Sequence, residues 1–118
     1  MQVNIRESGQ NIVITLNGRF VFEARHVFQK AITEAQDKPS KKVLINMEKV
    51  TYLDSAGLGL LALGFEQAKA QNKELCLVNP TGAVKEIIRL THLQKLVNIY
   101  DTEEQASSAS SPANVCAT

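Results

Sequence analysis

Apolar residues along this chain change rhythm several times, and each change marks a new element. Val3 and Ile5 alternate with Asn4 and Arg6 between Met1 and Glu7, the period of a half-buried strand. Ser8-Gly9-Gln10-Asn11 carries turn chemistry and Ile12 to Leu16 resumes the strand, which predicts an opening β-hairpin. After Gly18 the spacing becomes helical: Ala24, Val27, Phe28, Ala31, Ile32 and Ala35 form one stripe, with Arg25, Gln29, Lys30 and Thr33 away from it. Pro39-Ser40 stops that helix, and Val43 to Met47 reads as a buried strand. A polar connector with Tyr52-Leu53 leads to Asp54-Ser55-Ala56-Gly57-Leu58-Gly59, then to a helix reaching about Gln71, with Leu58, Leu61, Ala62, Phe65 and Ala68 on its core face.

Leu75 to Val78 is the next apolar strand, followed by Asn79-Pro80 and a short helix capped by Thr81, with Val84, Ile87, Ile88 and Thr91 on one side. Val97 to Tyr100 predicts a last strand, and Asp101 with Glu104 a capping-box start to a final helix. From Ser107 to Thr118 the chain turns Ser- and Ala-rich, a composition that buries too little to offset its ordering entropy. The expectation is one folded domain over residues 1–106 and a disordered tail over 107–118. The order ββαβαβαβα predicts an α/β fold. Its sheet is mostly parallel, four- to five-stranded and opened by an N-terminal β-hairpin, with helices packed on it. The apolar strands at Val43 and Leu75 suit its centre.

Composition narrows the function classes. Thirteen basic residues against twelve acidic ones leave a formal charge of +1, with no basic run to follow a phosphodiester backbone, so no direct nucleic-acid partner is expected. No apolar stretch approaches a membrane span of roughly 18 residues, and the N-terminus lacks a signal peptide's apolar run. Cys76 lies inside a strand and Cys116 in the tail, a pattern that fits reduced thiols in the cytoplasm rather than a disulfide framework.

The junction at Asp54-Ser55 holds the candidate chemistry. Either residue suits the N-cap, its side-chain oxygen accepting from a free N–H of the first turn. The Ser55 hydroxyl then sits at the positive end of the helix dipole, where a phosphate meets N–H donors and a favourable field. Gly57 and Gly59 leave the backbone open to close approach. Ala56, Leu60 and Leu63 fall opposite the core stripe and make a candidate docking face beside the serine.

Gly57-Leu58-Gly59-Leu60-Leu61-Ala62 also satisfies G-x-G-x-x-A. The dinucleotide motif, however, follows the first strand directly and needs an acid about 20 residues on, whereas these glycines follow a connector after the third strand. No phosphate-binding G-x-x-x-x-G-K-[ST] loop is present. Ser55 has no partner base, His26 and His92 stand apart, and the cysteines lack metal-ligand spacing. No enzyme activity, cofactor or metal is expected.

The strand–serine-turn–helix order is similar to the STAS domain, the sulfate transporter and anti-sigma factor antagonist family, over about residues 2–106. Supporting marks are Leu16-Asn17-Gly18-Arg19-Phe20, Asn79-Pro80, and Ile99-Tyr100-Asp101 through Ala106. The chain most resembles stand-alone anti-sigma factor antagonists. The resemblance implies that Ser55 is phosphorylated by a serine kinase that doubles as the anti-sigma factor, and dephosphorylated by a serine phosphatase. The unmodified form captures the anti-sigma factor. Together with the outward helix face, the expected partner surface is Asp54, Ala56, Gly57, Gly59, Leu60, Leu63 and Glu23, on a monomer or weak dimer. Many such antagonists carry an aspartate shortly after the second-strand glycine; here Val21 takes that place and Glu23 is the nearest carboxylate. Two other roles fit the same turn: a scaffold or transport-accessory STAS domain that works without phosphorylation, and a binder of a small anion or nucleotide.

Overall fold

The hairpin predicted at the start of the chain is formed by β1 (Gln2–Ser8) and β2 (Asn11–Phe20), with Gly9 at φ +61 opening a two-residue turn. Glycine reaches this left-handed conformation at no steric cost, as the first position of such a hairpin loop requires. The computed structural model describes residues 1–95 and 97–108. The other strands are β3 (Lys42–Leu53), β4 (Glu74–Val78) and β5 (Asn98–Tyr100). The helices are α1 (Arg25–Gln36), α2 (Ser55–Ala70), α3 (Gly82–Leu90) and α4 (Glu103–Ser108), with short 3-10 turns at Phe22–Ala24 and Leu93–Lys95. The strands lie in sequence order in one sheet, β1 antiparallel to β2 and the rest parallel, as the α/β pattern predicts.

Strand alternation divides the core in two. Ile12, Ile14 and Leu16, Val43, Ile45 and Met47, and Leu75 and Leu77 share one cluster with Phe28 and Ile32 of α1, Leu61 and Ala68 of α2, and Val84 and Ile88 of α3. The residues between them, Val13, Leu44, Cys76 and Val78, face the other way and pack with Ala106 of α4. β3 and β4 are therefore buried on both faces, which is why they read as unbroken apolar runs.

Several expectations shift. β3 continues through the supposed connector to Leu53, with Met47, Val50 and Leu53 buried at a spacing of three. Register shifts between Thr15 and Asn17 and between Gly18 and Arg19 accommodate that spacing. They keep β2 and β3 paired as far as Phe20 and Leu53. α1 buries Phe28, Ala31, Ile32 and Ala35, whereas Val27, expected in the core stripe, is 43% exposed. Thr81 holds the N-cap position of α3 without a side-chain cap bond. α4 is capped one residue later than expected: Thr102 Oγ1 accepts from the Gln105 N–H at 3.0 Å, and Gln105 Oε1 accepts from the Asp101 N–H at 3.1 Å. The helix runs on through Ser107, whose Oγ accepts from Asn11 Nδ2 at 3.1 Å. The rest of the expected tail, residues 109–118, lies outside the described residues.

Candidate functional site

The paired ends of β2 and β3 set the position of α2. Phe20 and Leu53 lie side by side there, both buried, and the Phe20 ring packs on Phe28 of α1 at 4.8 Å between centroids. Asp54, the next residue in the chain, is the N-cap of α2: its Oδ1 accepts from the Gly57 N–H at 2.8 Å and its carbonyl from the Leu58 N–H at 3.0 Å. Of the two cap candidates, Asp54 takes the role, so the Ser55 side chain makes no cap bond. Ser55 is the first helical residue and is exposed. A group attached to its hydroxyl would sit at the positive end of a 16-residue helix, beside the Asp54 carboxylate.

Gly57 is buried, and a Cβ there would fall 2.3 Å from the Phe20 carbonyl oxygen and 2.7 Å from Leu53 Cδ1. The close approach it permits is to its own sheet, not to a partner. Gly57 is thus a packing device where the helix meets the sheet. Gly59 is exposed, and a Cβ would meet nothing within 4 Å. The core side of α2 is centred on Gly57, Leu61, Gly64 and Ala68. That centre brings Leu60, expected to face outward, into partial burial against the core cluster, with Leu58 and Phe65 on the other flank. Leu63 does face solvent, at 43% exposure, and Ala56 is half-buried.

Beside the N-terminus of α2 lies an open groove of about 470 Å³, lined by Met1, Arg19, Val21, Glu23, Ala24, Val27, Tyr52 and Asp54. Glu23 and Asp54, distant in sequence, share it, as does Val21. Its rim carries apolar residues that sequence reasoning did not assign to a surface: Tyr52 at 46% and Val27 at 43% exposure, with Phe22 at 53% next to Glu23. The Arg19 guanidinium lies 5.3 Å from the Tyr52 ring centre and that of Arg25 lies 3.8 Å from the Phe22 ring. Both distances are within cation–π reach. The apolar spacing of three at Met47, Val50 and Leu53 leaves Tyr52 facing outward once β2 lies alongside.

A second cleft, of about 310 Å³, lies beside the middle of β3 and the carboxyl ends of β4 and β5, and strand carboxyl ends are where open α/β sheets often hold ligands. Glu48, Asp101, Glu103 and Glu104 line it, a field that opposes a nucleotide's phosphates. Among the described residues no three His, Cys, Asp or Glu side chains converge as a metal site requires, and no helix is long and apolar enough to cross a membrane. Cys76 is fully buried; that burial, reinforced by the Glu74 carboxylate, pushes its thiol far above the ordinary range. His26 is exposed on α1, and His92 follows α3 with φ 59.

Comparison with known proteins agrees with this geometry. A STAS-domain containing protein of Pseudomonas aeruginosa is 31% identical over 91 residues, covering 77% of this chain and 89% of that protein. A Thermotoga maritima protein named as an anti-sigma factor antagonist is 27% identical over 96 residues, covering 80% and 85%. The crystal structure of a T. maritima protein named as a candidate anti-sigma factor antagonist superposes with a TM-score of 0.80 at 24% identity, covering 89% of this chain and 91% of that one. The family model for the STAS domain matches residues 2–106, from the first strand to the buried alanine of α4, and the chain belongs to that family.

Proposed function

We propose that this protein is an anti-sigma factor antagonist, a regulatory binding protein switched at Ser55. In its unmodified form it captures an anti-sigma factor that is also a serine kinase; phosphorylation of Ser55 releases it, and a serine phosphatase restores the binding form. The observation that carries the reading is the placement of Ser55. It is exposed, free of the capping role and next in the chain to Asp54, which lines the groove. Phe22, Val27 and Tyr52 cluster on the neighbouring segments, and Leu63 lies two turns along the same helix. A phosphoserine brings about −1.5 to −2 charges at neutral pH, next to an existing carboxylate and close to apolar contact surface. Desolvating that charge in an interface is costly, so the modification works as an off-switch.

The name of the T. maritima relative supports the antagonist role, and the resemblance of the Asp54-Ser55-Ala56-Gly57-Leu58-Gly59 turn to the family's serine turn supports the switch. The reading places the protein in the cytoplasm, where such partners work, and assigns it no catalysis of its own. Asp54, Ala56, Gly59, Leu63 and Glu23 would line the partner's footprint, with Leu60 and Gly57 supporting it from below.

The test is incubation of the chain with its candidate kinase and ATP, site mapping by mass spectrometry, and partner affinity for wild type, Ser55→Ala and Ser55→Asp. Labelling at Ser55, binding retained by Ser55→Ala and weakened in Ser55→Asp is the expected result. Labelling only at Ser40, Thr51 or the tail serines would overturn the switch. Equal affinity for wild type and phosphorylated protein would support a scaffold role in a signalling or transport assembly instead.

A further inference from the structure

We propose that α4 is a detachable strap that opens as a unit ahead of global unfolding and gates access to the sheet face beneath it, including the Cys76 thiol. At six residues it is far shorter than the roughly 12–15 that a helix needs to persist alone, so its seat on the sheet decides whether it forms. That seat holds one fully buried apolar side chain, Ala106, set against Val13, Leu44, Cys76 and Val78, with Tyr100 at its edge. Its described residues are further tied by polar contacts. Glu103 pairs with Arg6 of β1 and accepts from Asn46 Nδ2 of β3 at 2.8 Å. Lys42 Nζ of β3 donates to the Ala106 carbonyl at 2.7 Å, and Asn11 of β2 donates to Ser107. Three helices fill the opposite face with interlocking apolar side chains, whereas α4 is held by bonds that water can replace. Elements held in this way open at lower cost than the whole fold.

Beneath the strap, Val13, Leu44 and Cys76 lie in one register row across β2, β3 and β4, each at most 1% exposed. Closed, the strap keeps the thiol dry and protonated. Open, it presents an apolar row and a reactive sulfur to solvent.

The measurement is thiol exchange on the full chain carrying Cys116→Ser, which leaves Cys76 as its single thiol. The probe is dithionitrobenzoate: the Cys76 thiolate attacks its disulfide, forms a mixed disulfide and releases one coloured thionitrobenzoate. Glu103→Ala, which removes the bonds to both Arg6 and Asn46, should speed labelling at low urea by about tenfold or more. Ile32→Val, in α1 on the other face, should lower the urea midpoint yet leave the labelling rate unchanged, because it destabilises the closed and strap-open states equally. If Glu103→Ala fails to fold, Arg6→Gln removes one tie at a half-exposed position and should speed labelling several-fold. The proposal is overturned if labelling of Ile32→Val rises in step with its lost stability, since Cys76 then reacts only through global unfolding. It is equally overturned if removing the ties leaves the rate as it was.

Discussion

At Gly57, an added Cβ would lie 2.3 Å from a backbone carbonyl that cannot move without dislodging β2. Gly57→Ala should therefore cost about 1–3 kcal/mol or more, as overpacking does. Gly59 has open space around the same position, and glycine in a helix interior costs about 0.5–1 kcal/mol relative to alanine. Gly59→Ala should raise stability by that amount, and should weaken the partner complex if a partner backbone approaches there. Urea titration of the two variants separates the roles. Asp54 and Ser55 divide in the same way: Asp54→Ala loses the bond to the Gly57 N–H and should cost about 1 kcal/mol. Ser55→Ala, at an exposed position without a cap bond, should stay within about 0.5 kcal/mol of wild type. A larger loss at Ser55 would show that its hydroxyl, not the Asp54 carboxylate, holds the helix start.

Two elements depend on ties made far away in sequence. The C-terminus of α1 is closed by Lys73, whose Nζ donates to the carbonyls of Ala35, Gln36 and Lys38 at 3.1, 2.8 and 2.7 Å. An ammonium there satisfies orphan carbonyls and complements the negative end of the dipole. Lys73→Met keeps the stem and loses the charge, and should cost about 1.5–3 kcal/mol in equilibrium unfolding, the range for hydrogen bonds to charged groups. For α4, partial burial tends to raise the Glu103 pKa, but the bonds from Arg6 and Asn46 and the Arg6 charge outweigh it and hold the carboxyl below its ordinary value. A depressed folded pKa contributes stability that is present above the unfolded value and lost as the pH falls through the folded one. The ties of α4 should accordingly weaken below about pH 4.3. The stability difference between wild type and Glu103→Gln should be greatest near neutrality and shrink in acid; a difference independent of pH would remove Glu103 from this role.

For the molecule as a whole, three helices cover one face of the sheet. The groove, Ser55, Phe22, Val27 and Tyr52 lie at the end where β2 and β3 hand over to α1 and α2, and Leu63 is exposed two turns along α2. Leu63 and Leu60 test how this surface divides from the core. Leu63→Glu should melt like wild type, because exposed positions rarely matter by more than about 0.5 kcal/mol, and should weaken partner binding by more than tenfold. Leu60→Glu places a carboxylate against the core cluster and should cost about 1–2 kcal/mol of stability, whatever it does to binding. Thermal melting beside an affinity measurement reads both.

Element order, the largely parallel sheet and the Asp54-Ser55 helix start were legible in the residues themselves, because periodicity and capping are local and the chain carries both without reference to its neighbours. Which residue of the cap pair accepts the bond, and where each helix face is centred, depends on what covers it. The approach of Phe20 turns α2 so that Gly57 is buried and Leu60 half-buried, and Val27 is left uncovered at the groove. The extension of β3 was hidden because its bulges convert strand alternation into a spacing of three, a pattern that acquires meaning only when β2 lies alongside. Lys73 and Glu103 carry no local mark at all. Their partners lie at least 35 and 57 residues away, and a hydrogen bond to a distant backbone or side chain is set by the closure of the fold, not by the sequence around it.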